Sequence, residues 1–294
     1  MNLRYAIVVI VVLLSGCSVS FSQPEQVNKH TRLSTHDIIK NAPQSQWQRV
    51  RSDDIVKITL PTGAAYIQLN PLLAPQHVQQ IKALAREGFY EGTNMYRVVE
   101  GFVAQGGDAT GIKNIKTANK TIPAEFYLTS TSPLKITEIG GDGYAPQTGF
   151  LNSFAIAQNK QGTQTWQVHC NGVFAMARDN NINSASTQFY VTIGQGPRYL
   201  DKNITVFGRV LEGMQHFNRL QRDVVNNQTV NPIEKVQILS DIPSDNSVFR
   251  VLKTDSSAFK ALIQARKNRY EEWFVYQHNY IDVCAVPIPT QRVQ

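Results

Sequence analysis

Residues 95–108 constrain the fold more than any other part of this 294-residue chain. The run, MYRVVEGFVAQGGD, alternates apolar side chains with Arg97 and Gln105 and closes on two glycines and an aspartate. In an extended strand Arg97 and Val99 share one face, as do Val103 and Gln105, because successive side chains point to opposite sides. The run therefore predicts strand structure that holds a guanidinium beside an apolar surface, which is an unusual combination.

The first seventeen residues have the layout of a secretory signal rather than of a structural segment. Arg4 is followed by an apolar run over residues 5–14, which is too short for a membrane-spanning helix. The next four residues, LSGC at 14–17, resemble the lipobox of bacterial lipoproteins. This resemblance implies a signal peptide over residues 1–16, cleavage before Cys17 and a diacylglycerol on its thiol. An ordinary cleaved signal and an uncleaved anchor are the alternatives.

Ser18 occupies the position at which an aspartate would favour retention in the inner membrane of enterobacteria. The resemblance to lipoproteins therefore implies a lipid-anchored protein of the cell envelope, in the outer membrane and facing the periplasm. Residues 17–45 are polar and poor in large apolar groups, and we interpret them as a flexible tether between the lipid and the folded domain.

The remaining chain is long enough for one domain with a sizeable core. We place that domain at residues 46–245, with an insertion at about 127–168, and assign residues 246–294 to a C-terminal extension packed on it. Without residues 1–16 the chain keeps 28 basic and 22 acidic residues, and the excess is spread out rather than clustered. A nucleic-acid partner is therefore not expected.

Cys170 and Cys284 remain once Cys17 is assigned to the lipid. Two thiols in an oxidising compartment are a candidate disulfide, with two buried and unpaired cysteines as the alternative. A bond between positions so far apart would stabilise the fold by about 4–5 kcal/mol. A metal site is not expected, because His169 and Cys170 have no CxxC or HxxxH partner nearby.

The spacing of apolar residues predicts a mostly β chain. Two apolar runs, 55–60 and 65–69, flank the turn residues Pro61-Thr62-Gly63 and predict a hairpin. Helical spacing from about Ala74, ended by Gly88, predicts a first helix. A second helix is expected from four spaced apolar residues: Met214, Phe217, Leu220 and Val224. Further strands are expected at Val173–Ala177, Gln188–Ile193, Val206–Val210 and Lys235–Leu239. These elements favour an antiparallel barrel with helices capping its ends.

Two regions exceed a minimal barrel. The polar insertion is long enough to contain its own hairpins or to cover a functional face. The C-terminal extension carries an apolar helical stripe with Ser256 or Ser257 as its N-cap. The stripe consists of Phe259, Leu262, Ile263, Tyr270, Trp273 and Phe274. Such a stripe usually packs on its own domain rather than on a partner.

Six sequence blocks occur in the order that is typical of the cyclophilins, and the chain resembles that family, its bacterial branch in particular, over about residues 54–240. The blocks are FYEGT at 89–93, QGGD at 105–108, TIPAEF at 121–126, GVFAMAR at 172–178, STQFY at 186–190 and VFGRVLEGM at 206–214. The resemblance implies an eight-stranded antiparallel barrel capped by two helices. It also implies peptidyl-prolyl cis-trans isomerase activity (EC 5.2.1.8) without a cofactor, in a monomer.

The resemblance also implies roles for residues at matching positions. Arg97 would donate a hydrogen bond to the prolyl nitrogen, and Gln105 would brace the guanidinium. The proline pocket would be lined by Phe102, Val103, Tyr190 and Leu200. Gln188 would bond the substrate backbone, and Arg178 lies where family members offer a backbone carbonyl. The expected partners are proline-containing segments of exported proteins, together with the membrane through the lipid on Cys17.

Several positions depart from the family pattern. They are Tyr96 for a histidine, Val103 for a methionine, Tyr190 for a phenylalanine, Tyr199 for a tryptophan and Ile204 for a histidine. Because the tryptophan is important for cyclosporin in many eukaryotic members, weak cyclosporin binding is expected. The departures also leave an alternative function, a non-catalytic proline-binding envelope lipoprotein that uses the same pocket.

Overall fold

A computed structural model describes residues 33–222, 230–269 and 271–293. Within these residues there are sixteen strands and four α-helices. The strands are β1 (Trp47–Arg49), β2 (Ile55–Leu60), β3 (Gly63–Leu69), β4 (Asn94–Val98), β5 (Val103–Gly107), β6 (Leu128–Thr129), β7 (Thr137–Gly140), β8 (Gln147–Leu151), β9 (Phe154–Gln158), β10 (Gln164–Gln167), β11 (Val173–Met176), β12 (Phe189–Thr192), β13 (Val206–Glu212), β14 (Lys235–Ile238), β15 (Val248–Leu252) and β16 (Thr290–Val293). The helices are α1 (Thr35–Lys40), α2 (Pro75–Arg86), α3 (Met214–Asn218) and α4 (Ser257–Lys267).

Eight strands form one antiparallel sheet in the order β14-β2-β3-β13-β11-β12-β5-β4. The two edges approach each other, because the Met95 N–H donates to the Asn231 carbonyl at 2.8 Å and the Ile233 N–H donates to the Thr93 carbonyl at 2.9 Å. The sheet is therefore curled, and its interior is filled by apolar side chains such as Phe174, which is fully buried. The predicted mainly β, eight-stranded antiparallel architecture is confirmed.

The first hairpin and the first helix follow the sequence pattern. Strands β2 and β3 pair from end to end, and Gly63 adopts φ +137°, a conformation that favours glycine. Helix α2 buries Val78, Ile81 and Leu84 against the sheet, and Gly88 follows its end with φ +69°. Both predictions are confirmed.

Residues 95–108 form two strands rather than a single extended segment. The chain reverses between β4 and β5, where the Phe102 N–H donates to the Val99 carbonyl at 3.1 Å and Val99 N–H to the Val103 carbonyl at 2.9 Å. Gly101 permits the reversal with φ +68°. The hairpin therefore places Arg97 of β4 opposite Gln105 of β5.

Helix α3 is shorter than predicted. It ends at Asn218, and only Phe217 among its residues is buried. The side chain of Asn231 bonds both the N–H and the carbonyl of Gln221, at 2.9 Å each, so the backbone of Gln221 has partners outside a helix. Val224, the last residue of the predicted stripe, lies outside the described residues.

The insertion forms a sheet of its own in the order β6-β10-β9-β8-β7. Strand β10 of this sheet is hydrogen-bonded to the eight-stranded sheet and its neighbouring residues through Gln167. The side-chain amide of Gln167 accepts from Asn70 Nδ2 and donates to the Gly208 carbonyl, both at 2.9 Å. The expectation that this long segment contains hairpins is confirmed.

Strands β1, β15 and β16 form a third sheet in that order, and helix α4 packs beside it. Ser256 caps α4 by accepting from the Phe259 N–H at 3.1 Å. The predicted stripe is correct only in its first part: Phe259, Leu262 and Ile263 are buried, whereas α4 ends at Lys267. Trp273 beyond it is 75% exposed, and Tyr270 lies outside the described residues.

The predicted tether is wrong at its C-terminal end. Residues 35–40 form α1, which Ser34 caps through the Asp37 N–H, and α1 packs on α4. Ile38 is buried there in the same apolar cluster as Phe259. Folded structure thus begins before residue 46, because Ile38 and Ala42 are buried in this cluster and Ile39 packs against it. No described helix has the length and apolar character needed to cross a membrane.

Candidate active site

The β4–β5 hairpin places Arg97 beside both an amide and an aromatic ring. Its guanidinium is exposed, and Nη1 lies 3.4 Å from Gln105 Oε1. The guanidinium carbon lies 5.8 Å from the centre of the Phe102 ring. A cation near a ring face is attracted by the ring's quadrupole, so Phe102 and Gln105 together favour one orientation of the arginine. The structure therefore brings these three predicted residues together.

A hydrogen-bonded chain fixes the orientation of Gln105. Its Nε2 donates to the Tyr96 hydroxyl at 2.5 Å, and that hydroxyl donates to Gln188 Oε1 at 2.5 Å. Gln188 Nε2 in turn donates to the Asp108 carbonyl at 3.0 Å. Because the donor end of the Gln105 amide faces Tyr96, its acceptor end is left for Arg97. Burial raises the pKa of Tyr96, so this hydroxyl stays protonated and can donate.

Tyr96 is a site residue that sequence reasoning noted only as a departure from a pattern. Its hydroxyl joins the two glutamines that the sequence had assigned separate roles. A tyrosine next to an arginine in a strand gives no local signal of this kind, because the contact depends on pairing between β4, β5 and β12.

Apolar side chains adjoin the arginine. Val103 is 2% exposed and Tyr190 is 3% exposed, and both belong to one apolar cluster against which Phe102 and Ile204 pack. The pairing of β5 with β12 brings them together, since Tyr190 lies opposite Gln105 and Thr192 lies opposite Val103. Phe102 and Ile204 are the more exposed members of this apolar surface beside the arginine.

Leu200 and Arg178 lie to one side of this surface. Together with Ile204 they line an adjoining open depression. The Arg178 guanidinium is held by the Asn203 carbonyl at 3.0 Å and the Asp179 carbonyl at 2.6 Å. Arg178 also borders a groove of about 530 Å³ that includes Gln105, Asp108 and Gln188. The predicted residues thus occupy one continuous region, with Arg178 between two of its depressions.

A buried polar chain lies behind Tyr190, and sequence reasoning missed it. The Tyr190 hydroxyl lies 2.9 Å from His169 Nε2, and His169 Nδ1 lies 3.0 Å from Asp201 Oδ1. Asp201 also accepts from Arg198 Nε at 2.6 Å, and Arg198 Nη1 donates to Asp142 at 2.7 Å. A carboxylate only accepts, so His169 Nδ1 donates to Asp201, which leaves Nε2 as the ring nitrogen that bonds the Tyr190 hydroxyl.

All members of this chain are nearly inaccessible to solvent, and burial raises the pKa of Tyr190. Burial alone would lower the pKa of Arg198, but the charges of Asp201 and Asp142 outweigh it and raise that pKa. One signal in the sequence could have revealed part of the chain: a tyrosine in a buried strand position needs a partner for its hydroxyl.

A disulfide joins Cys170 to Cys284 across 114 residues, with the two Cα atoms 5.1 Å apart. Cys170 follows His169 directly, so the bond fastens the C-terminal extension next to the polar chain behind Tyr190. Val283, adjacent to the second cysteine, is buried in the same apolar cluster as Tyr190. Cys17, the predicted lipidation site, lies outside the described residues.

Comparison with known proteins gives a consistent result. The family model described as "Cyclophilin type peptidyl-prolyl cis-trans isomerase/CLD" matches residues 55–241. A Brucella suis protein named "Probable peptidyl-prolyl cis-trans isomerase" is 30% identical over 182 residues, which cover 61% of this chain and 79% of the relative. The mouse "Peptidyl-prolyl cis-trans isomerase-like 1" is 27% identical over 202 residues, covering 69% of this chain and 97% of the relative.

Similarity to a solved structure extends beyond the matched domain. The crystal structure of cyclophilin AquaCyp293 from Hirschia baltica is similar with a TM-score of 0.71 and 28% identity. The similarity covers 88% of this chain and 97% of that one, which is more of this chain than the family model matches.

Proposed function

Because the chain belongs to the cyclophilin family and is a peptidyl-prolyl cis-trans isomerase, we propose that Arg97 is its catalytic donor and that its substrates are X-Pro segments of exported proteins. The observation that carries the first part is the position of the Arg97 guanidinium, 5.8 Å from the Phe102 ring and 3.4 Å from Gln105. The proposal that the substrates are exported proteins rests on the N-terminal sequence, which resembles a lipoprotein signal peptide.

The reaction requires a site that positions the proline ring and donates one hydrogen bond to the prolyl nitrogen. A peptide bond resists rotation because the nitrogen lone pair is delocalised, which gives a barrier of about 18–20 kcal/mol. At an X-Pro bond both isomers are populated, yet they exchange in roughly tens to hundreds of seconds. No bond is made or broken. A catalyst must therefore hold the proline ring and stabilise the twisted amide.

Arg97 meets the second requirement. In the twisted amide the nitrogen regains its lone pair and becomes a better acceptor, so a donor aimed at it binds the transition state more strongly than the ground state. Arginine suits this role because it stays protonated and presents several N–H groups in a rigid plane. Gln105 restricts the guanidinium from one side, and the chain through Tyr96 and Gln188 keeps the amide of Gln105 from turning over.

The apolar surface meets the first requirement. A proline ring placed on Phe102, Val103 and Tyr190 would cover the arginine and exclude water around the reacting nitrogen. Hydrogen bonds strengthen when water is excluded, so the donor is worth more in the complex than its exposure in the free protein suggests. Gln188, Arg178 and Leu200 then lie where the flanking substrate residues pass.

The proposed location rests on two features of the sequence and one of the fold. Residues 14–17 resemble a lipobox, Cys17 would carry the lipid, and Ser18 lacks the acidic signal for inner-membrane retention. The Cys170–Cys284 bond supports the same view, because structural disulfides are found mainly in oxidising compartments. We place the protein in the outer membrane, facing the periplasm, where it would act as a monomer on exported chains.

The experiment that tests the catalytic role compares the wild type with Arg97→Ala on an X-Pro tetrapeptide. Removal of a preorganised donor costs about 3–4 kcal/mol in comparable sites, so we expect a loss of kcat/KM of at least 100-fold. Arg49→Ala is the matched control, since Arg49 is also an exposed strand arginine but belongs to β1. Equal rates for the wild type and Arg97→Ala would contradict the proposed role. Lipidation and location are tested separately, by mass spectrometry of the mature N-terminus and by membrane fractionation.

A further inference from the structure

Residues 271–277, which we call the aromatic loop, expose apolar side chains between the end of α4 and the disulfide. Trp273 is 75% exposed, Val275 is fully exposed and Tyr276 is 71% exposed. The side chain of Gln277 turns back to the start of the loop, where its Nε2 lies 3.5 Å from the Arg269 carbonyl. Compact loops with close ends are often functional, and adjoining exposed apolar side chains indicate an interaction surface.

Contacts within the aromatic loop support its exposed side chains. The rings of Trp273 and Phe274 meet edge to face, with their centres 4.5 Å apart. The guanidinium carbon of Arg269 lies 5.9 Å from the centre of the Phe274 ring, and Arg269 also pairs with Glu271 at 2.9 Å. The Phe274 N–H donates to the Glu271 carbonyl at 3.0 Å. Because the loop is already ordered by these contacts, binding through its tip costs little further conformational entropy.

The tip of the aromatic loop projects from the protein rather than lining a groove. Val275 is fully exposed, whereas a side chain in the wall of a groove is partly covered by the opposite wall. A projecting tip cannot enclose the side chain of a peptide, but it can enter a deformable apolar phase. Tryptophan and tyrosine are enriched where a bilayer meets water, because each combines an apolar ring with one polar group. The shape and composition of the loop therefore favour a lipid surface.

The charges before the tip suit the same occupant. Arg266 and Lys267 lie in the last turn of α4, and Arg269 follows them, which gives three positive charges. Glu271 and Glu272 supply two negative charges. Basic residues beside an apolar surface are attracted to anionic headgroups, so the net excess of one positive charge adds to the apolar contact without replacing it.

The described structure begins at the helix that packs on α4. Its first residue is Leu33, and α1, which follows, contacts α4, the helix that leads into the aromatic loop. A lipid on Cys17, as proposed above, would be joined to Leu33 through sixteen residues, which span at most about 55 Å. The lipid would therefore keep α1 and the helix on which it packs close to a bilayer.

We propose that the aromatic loop docks on a bilayer, with Trp273, Val275 and Tyr276 inserted among the headgroups and the adjoining acyl chains. A second point of attachment restricts a domain that would otherwise turn freely on its tether. The contact thus gives the domain a defined face toward the membrane. This inference goes beyond the proposed function and does not depend on the catalytic role of Arg97.

Trp273 can report its own insertion. The chain has three tryptophans, and Trp47 and Trp166 are each only 4% exposed. The test uses the protein from Ser18 onward, which carries no lipid and contains the whole compact unit from Leu33 to the C-terminus. It is mixed with vesicles of phosphatidylethanolamine and phosphatidylglycerol, or of phosphatidylcholine alone.

We expect the tryptophan emission to shift to the blue with both kinds of vesicle, and lipids brominated on their acyl chains to quench it. Binding should be tighter to the anionic vesicles. The full chain with its lipid, reconstituted in the same vesicles, should show the same quenching.

Two variants identify the side chains that insert. Val275→Ser keeps the reporter and should weaken binding by about 3- to 10-fold, because it removes one apolar side chain from the contact. Trp273→Ser/Val275→Ser, measured by co-sedimentation with vesicles, should weaken it at least about 10-fold. The matched control is Leu72→Ser, since Leu72 is an aliphatic residue that is 42% exposed in the loop before α2. Circular dichroism and tetrapeptide isomerisation check that every variant is folded.

The possible outcomes decide between this occupant and the others. The proposal is wrong if the wild type neither shifts its emission nor sediments with vesicles, or if the double variant binds as tightly as the wild type. Binding that salt abolishes, without quenching of Trp273, would also contradict it. A blue shift without vesicles that grows with protein concentration would make a second copy of this chain the occupant, and one induced by an unfolded polypeptide would make it a protein segment.

The vesicle experiment is separate from the tests of the proposed function. A mature N-terminus without lipid would contradict the proposed location, yet the unlipidated protein would still have to bind vesicles through Trp273. Equal tetrapeptide rates for the wild type and Arg97→Ala would contradict only the catalytic role.

Discussion

Replacing Tyr190 with phenylalanine should reduce stability while leaving catalysis largely intact. The ring of Tyr190 belongs to the apolar cluster against which Phe102 packs, and its hydroxyl lies 2.9 Å from His169 Nε2. Tyr190→Phe keeps the ring and removes only the hydroxyl. The two functions of this side chain can therefore be separated by the loss of one atom.

The expected magnitude follows from the burial of both partners. The lost hydrogen bond is worth about 1 kcal/mol net, and a buried acceptor left without a partner costs about 1–3 kcal/mol. His169 is fully buried, so water cannot readily replace the hydroxyl. Relief from burying a hydroxyl offsets part of this cost. We expect the free energy of unfolding to fall by about 1–2 kcal/mol.

Urea denaturation of the wild type and Tyr190→Phe measures the change, and tetrapeptide isomerisation measures activity. Tyr144→Phe is the matched control, because the Tyr144 side chain is 58% exposed and its hydroxyl loss should change stability little. A double-mutant cycle with His169→Leu should give a coupling energy of about 1 kcal/mol. Unchanged stability in Tyr190→Phe, or additivity in the cycle, would refute the reasoning.

Three further outcomes are expected. Burial opposes ionisation of Asp245, but its hydrogen bonds, of which the one from Lys57 at 2.7 Å is the largest contribution, lower its pKa. The ionised carboxylate therefore stabilises the fold by about 2 kcal/mol at neutral pH, and this contribution is lost as pH falls below about 4. Asp245→Asn should thus be less stable than the wild type at pH 7, with a gap in urea denaturation that narrows on acidification; a gap independent of pH would contradict this. Cys284→Ser should lower the free energy of unfolding by about 4–5 kcal/mol without reductant and should match the wild type under reducing conditions; equal stability of the two proteins without reductant would contradict this. Cyclosporin should bind weakly in calorimetry, because Tyr199 and Ile204 replace the tryptophan and histidine of many relatives; a nanomolar complex would show this reasoning to be wrong.

Local sequence patterns predicted the elements whose structure depends on local chemistry. The first hairpin has turn residues between two apolar runs, and helix α2 has an apolar stripe ended by Gly88. In both, the period of the apolar residues and the glycine conformation decide the outcome without help from distant parts of the chain. The order of six short blocks then predicted the arrangement of the eight-stranded sheet.

The errors arose where tertiary contacts outweigh the pattern. The stripe from Phe259 to Phe274 reads as one helix, yet α4 ends at Lys267 and leaves Trp273 exposed. Residues 35–40 read as part of a flexible tether, yet Ile38 finds a place against α4. Neither the end of α4 nor the docking of residues 35–40 can be predicted from neighbouring residues alone, because each depends on contacts with a distant segment of the chain.

In the candidate site, too, residues close together in the sequence were predictable and residues far apart were not. Arg97, Phe102 and Gln105 were predictable because they fall within one short run whose hairpin brings them together. The chain from Tyr190 through His169 to Asp201 was not, since its members are separated along the sequence by 21 and 32 residues. A residue that departs from its family pattern, such as a tyrosine for a phenylalanine, indicates only that some partner must exist.

This polar chain connects Tyr190 with a segment outside the minimal domain. Asp142 belongs to the insertion, and it shares Arg198 with Asp201, which in turn orients His169 behind the pocket tyrosine. Buried ion pairs add little net stability in many proteins, and in some they select one defined arrangement of the core. Catalysis by a positioned donor requires such an arrangement, since a ring displaced by about 1 Å loses its alignment with the donor. Removing the insertion should therefore impair the pocket even though no insertion residue is expected to touch the proline.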